Sequence, residues 1–113
     1  MTKTQQKIAA LTAALIKAKE AGALYTDIDD GGTCNFDSPK LYLKGWRRAD
    51  VEAAFAAADL RSFVYELWGT KAYVVCGGPL QSGRGDRRTK VAEVMCASLK
   101  ADGYEAGMYY QMD

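Results

Sequence analysis

The chain has 113 residues, with 15 lysines and arginines against 14 aspartates and glutamates, and it contains no histidine. A net charge of +1 selects neither nucleic acid nor a membrane surface as a partner of the whole molecule, so electrostatic function must come from patches. The missing histidine excludes Ser-His and Cys-His nucleophile pairs, histidine-ligated zinc and a histidine pH switch.

The length suits one domain, residues 1–113, with residues 39–113 as its core and residues 1–38 as an N-terminal extension. Cys34, Cys76 and Cys96 are odd in number and form no C-x-x-C, which reads as ordinary thiols in a reduced, cytoplasmic protein. No run approaches the length of a membrane span. Lys3 and Lys7 followed by the apolar run Ile8–Ile16 imitate a short signal peptide. Lys17, Lys19 and Glu20, however, stand where small neutral residues should precede cleavage.

In chain order, residues 4–21 read as a helix with Ile8, Leu11, Leu15 and Ala18 in one stripe and Gly22 as its C-cap. A short strand is expected at Ala23–Thr26. Asp27-Ile-Asp-Asp-Gly-Gly-Thr33 is an acidic turn whose carboxylates suit Mg²⁺ or Ca²⁺ in type. The EF-hand spacing nevertheless fails, because Ser38 stands at the twelfth position, and Asp and Gly also dominate ordinary turns. The expected cofactor set is therefore empty.

Lys40–Lys44 alternates as a strand, Leu41 and Leu43 on one side, Tyr42 and the lysines on the other. A second helix is expected over Arg47–Asp59, with Val51, Ala54, Phe55 and Ala58 buried. Arg61–Leu67 and Lys71–Cys76 read as two strands joined by a tight turn at Trp68-Gly69-Thr70.

Gly77–Lys90 is a glycine-rich basic loop. Arg84, Arg87, Arg88 and Lys90 outweigh Asp86 to give a local charge of +3. A third helix starts at Arg87–Thr89 and runs to Ala101 before the Asp102-Gly103 stop. A final strand, Glu105–Met112, puts Ala106, Met108, Tyr110 and Met112 on one face and Glu105, Tyr109 and Gln111 on the other.

Strand, helix, strand, strand, helix, strand from Lys40 onward predicts an α+β fold. The arrangement is a ferredoxin-like split βαβ antiparallel sheet with two helices on one face, plus the N-terminal helix and its short strand. The first and third strands are expected as parallel central neighbours. Their carboxyl ends would then bring Lys44, Arg47 and Arg48 to the same edge as Gly83, Arg84, Gly85, Arg87, Arg88, Thr89 and Lys90. Two helix starts meeting there would grip an anion. The competing reading is two unrelated solvated turns.

Leu41-Tyr-Leu-Lys-Gly-Trp46 resembles the first-strand hexamer of RNA-recognition motif domains, while Thr70–Cys76 keeps only Tyr73-Val74 of their third-strand signature. The resemblance implies a helix-free sheet face on which Tyr42, Tyr73 and Tyr109 would stack bases. The expectation set against stacking is that the N-terminal helix or a second subunit covers them, since the leucine stripe of that helix needs a partner.

Three functions follow. The first is a non-catalytic protein binding a phosphate-bearing ligand, a nucleotide or a nucleic acid backbone, at the basic edge. The second is a protein-protein interaction module or inhibitor, of the kind phages and mobile elements encode, covering a partner's surface. The third is a Mg-dependent phosphoester enzyme, for which Asp27, Asp29, Asp30 or a glutamate would have to act as base.

Overall fold

In the computed structural model, which describes residues 1–32 and 35–110, the elements are α1 (Lys3–Ala23), β1 (Ser38–Leu41), α2 (Arg48–Ala57), β2 (Arg61–Leu67), β3 (Thr70–Cys76), a 3₁₀ turn (Gly78–Ser82), α3 (Asp86–Ala101) and β4 (Ala106–Tyr109). Cys34, Gln111 and Met112 lie outside the described residues. α1 opens on a capping box: Thr2 Oγ1 accepts the Gln5 amide at 3.0 Å, and the Thr2 amide donates to Gln5 Oε1 at 2.8 Å.

The strand expected at Ala23–Thr26 does not form. The alanine-rich helix propagates through Ala23, and turns follow it. Gly22 is inside α1 instead of capping it. A Cβ there would stand 2.9 Å from Met95 Cγ, 3.1 Å from Val91 Cγ1 and 3.2 Å from Pro79 Cγ, so the bare backbone lets α1 cross α3 closely.

The strands form one antiparallel sheet in the order β2-β3-β1-β4, the ferredoxin-like order. Trp68 and Gly69 have φ of 53° and 78°, a two-residue turn that joins β2 to β3 and pairs Leu67 with Thr70. A hairpin reverses direction, so β3 runs against β1, with Lys40 opposite Val74 and Leu41 opposite Tyr73. The expected parallel pair at the centre is therefore an antiparallel one. The carboxyl ends of β1 and β3 point to opposite edges of the sheet.

One face of the sheet turns Leu41, Leu43, Val64, Tyr73, Val75, Ala106 and Met108 towards the helices. They meet Leu11 and Leu15 of α1, Val51 and Phe55 of α2, and Val91, Met95 and Leu99 of α3 in one core cluster. α1 lies against α2 and α3, adding a third helix to that layer, and does not cover the opposite sheet face. Among the described residues, no helix is long and apolar enough to cross a membrane.

Candidate functional site

The glycine-rich basic loop is joined to the acidic turn of the same chain. Asp30 Oδ2 accepts the Arg84 amide at 2.9 Å, and Asp30 Oδ1 accepts the amides of Gly85 at 2.8 Å and Arg87 at 3.3 Å. The Asp86 amide donates to Gly31 O at 2.8 Å, and the Asn35 amide donates to Arg84 O. The start of α3 does attract an anion, and that anion is Asp30. The Arg84 and Gly85 amides hold its carboxyl below the usual value.

Gly83 and Gly85 make this approach sterically open. A Cβ on Gly83 would lie 2.8 Å from the Asp30 carboxylate, and a Cβ on Gly85 would run into the Gly31 carbonyl oxygen. Two guanidiniums complete the stitching. Arg87 donates to Ile28 O at 2.8 Å and to Ser82 O at 2.6 Å. Arg88 donates to Asp37 O at 2.5 Å, Leu80 O at 2.8 Å and Ser38 Oγ at 2.7 Å, and its burial lowers its pKa. Thr89 Oγ1 donates to Asp37 Oδ2 at 2.7 Å and accepts from Asn35 Nδ2 at 3.1 Å. Arg84 and Lys90 are exposed and stand 5.7 Å and 5.2 Å from the rings of Phe36 and Tyr25.

Lys44, Arg47 and Arg48 are exposed at the other end of the sheet, where Lys44 lines a cleft with the β2–β3 turn. Arg48 pairs with Glu52 at 2.8 Å along α2. The single basic edge expected from the two helix starts is thus two separate places, because the antiparallel centre of the sheet carries the two turns apart. Among the described residues, no three acidic or cysteine side chains gather as metal ligands.

The helix-free face is built differently. Lys40 sits opposite Val74 on one side and Gly107 on the other; Phe63 stands opposite Val74 and Tyr65 opposite Ala72. Tyr109 meets Phe63 at 5.6 Å and Tyr65 at 4.9 Å between ring centroids, both edge-on. Lys40 Nζ lies 5.5 Å from the Tyr42 ring and 5.6 Å from the Tyr65 ring. Gly107 lies beneath them: a Cβ there would be in ordinary contact with Lys40 Cε at 3.5 Å and Tyr42 at 3.7 Å. The rings bury Val74 and Ala72 without help from a helix, while Phe63 remains 42% exposed.

Tyr42 and Tyr109 stand on this face, as the strand alternation predicts. Tyr73 does not. Its partners in register are Leu41 and Val64, both turned inward, so it is buried in the core at 1% exposure. Phe63, Tyr65 and Lys40 were not singled out from the sequence. A two-residue turn at Trp68-Gly69 fixes the hairpin register, and that register puts Phe63 and Tyr65 on the face away from Tyr73.

Comparison with protein-family models, curated proteins and solved structures finds no match to this chain.

Proposed function

We propose that the chain is a non-catalytic binding protein that holds single-stranded nucleic acid on the helix-free sheet face. The observation that carries this reading is the group of four rings on the helix-free face, where Tyr109 meets Phe63 and Tyr65 and Lys40 lies by Tyr42 and Tyr65. Unpaired bases expose flat faces that stack on aromatic side chains, each contact worth about 1–3 kcal/mol, and an ammonium among the rings suits the accompanying phosphate. Lys44 and Arg47, exposed beyond the end of β1, supply further charge for the backbone. The phosphate-bearing ligand expected from the sequence is kept in this reading, and its site moves from the stitched loop to the open sheet.

Fluorescence anisotropy with labelled single-stranded DNA and RNA octamers tests it. Binding is expected to weaken with salt at about 0.7 per phosphate contacted. Phe63→Ala with Tyr109→Ala removes two such contacts and should weaken it by about thirtyfold or more. A double variant that keeps its circular dichroism spectrum and binds like wild type defeats the proposal.

A protein partner is the second reading, favoured by the β2–β3 hairpin, where Leu67 is 49% and Trp68 93% exposed. Exposed aromatic residues of this kind are common interface anchors. A complex that survives high salt, contains no nucleic acid and is lost in Trp68→Ala selects this reading over the first.

A further inference from the structure

We infer that a cleft at the β1 exit is a second binding site, for a nucleoside monophosphate or a group of that size carrying one phosphate and one flat ring. The cleft measures about 540 Å³ and lies between the turn that follows β1 and the turn that joins β2 to β3. That volume falls within the range of about 300–1,000 Å³ usual for small-ligand pockets. Its walls include Tyr42, Lys44, Trp46, Lys71, Tyr73 and Glu105.

The chemistry of those walls narrows the ligand. Lys44, in the turn after β1, and Lys71, at the start of β3, line the cleft together with the carboxylate of Glu105, and Lys7 Nζ stands 4.3 Å from the Trp46 ring, so the surroundings favour an anion. Tyr42 and Trp46 offer ring surface for a planar group. The Tyr73 hydroxyl is buried and has no hydrogen-bond partner among the described residues. It has essentially no accessible surface, so Tyr73 forms the floor of the cleft. Gly45 and Gly69 form an open rim, since a Cβ on either would meet nothing within 4 Å. This inference stands whether or not the sheet face takes a strand. A free mononucleotide and the phosphorylated end of an oligonucleotide present the same chemistry to the cleft.

Amide chemical shifts during titration test it on the full chain. Adenosine 5′-monophosphate, or failing that a 5′-phosphorylated octamer, is expected to move the amides of residues 44–46 and 69–71. Adenosine and inorganic phosphate should each bind about tenfold more weakly or worse, because each keeps only half of the contacts. A shift with the octamer alone assigns the cleft to a chain end; a shift with the mononucleotide assigns it to a free ligand. Lys44→Ala with Lys71→Ala removes two exposed cations, leaves the core intact and should weaken binding by about tenfold or more. The inference is overturned if neither probe moves these amides, or if the double lysine variant binds as wild type does.

Discussion

The two basic turns look alike in the sequence and have opposite fates in the fold. Each places cations at the start of a helix, Lys44–Arg48 before α2 and Arg84–Lys90 at α3. The second is closed by its own chain: Asp30 takes three of its amides, while Arg87 and Arg88 spend their donors on backbone carbonyls and Ser38. The first receives no side-chain cap among the described residues, keeps the Arg48–Glu52 pair along α2, and opens beside a cleft and an aromatic sheet face. Positive charge at a helix start is thus a demand for an anion, and only the tertiary fold says whether the chain or a ligand meets it.

Substitutions on the two sides should separate stability from binding. Gly85→Ala has the largest expected effect on stability. Its Cβ meets a backbone carbonyl that has no flexible end to swing away, and overpacking of this kind costs about 1–3 kcal/mol, read from urea unfolding. Nucleic acid affinity of the folded fraction should not change. Tyr109→Ala comes next. It loses two edge-on ring contacts, each worth about 0.5–1.5 kcal/mol beyond area, and it should lower affinity as well.

Asp30→Asn is expected to lower the urea midpoint by less, and its effect carries a pH signature. The folded carboxyl has a depressed pKa against an ordinary value of 3.8, so between those two values the unfolded chain binds more protons. The stability contributed by Asp30 is therefore complete above about pH 3.8 and is lost as pH falls through the folded value. The gap between wild-type and Asp30→Asn midpoints should hold steady from neutral pH to about 4 and then close. A gap that widened in acid would show that the carboxylate does not tie the loop.

The smallest effect belongs to Trp68→Asn. Trp68 is exposed with φ of 53°, a conformation in which asparagine is more comfortable, so a gain of a few tenths of a kcal/mol is expected in thermal unfolding. A loss would mean that the indole makes a stabilising contact.

Much of the fold was legible locally. The stripes at Leu11, Leu15 and Ala18 and at Val51, Ala54 and Phe55 lie buried where helical spacing puts them, and Leu41 and Tyr42 divide across the sheet as alternation requires. The antiparallel centre could also have been read from element order, since each hairpin reverses direction. Tyr73 was misplaced because its face depends on register across two strands. The role of Asp30 was beyond local pattern. It lies 54 residues before Arg84, and an acidic turn looks the same whether it faces water, a metal or a distant helix start.

The Asp30 contact also bears on how the molecule opens. Residues 24–32 belong to no helix or strand; Tyr25 packs against the core, and Ile28, Asp30 and Gly31 are held by the loop that begins α3. Either segment released would free the other, so the two should exchange amide hydrogens as one cooperative unit while the sheet stays protected. A protease that cuts near Asp29 would then loosen a loop more than fifty residues away without touching it.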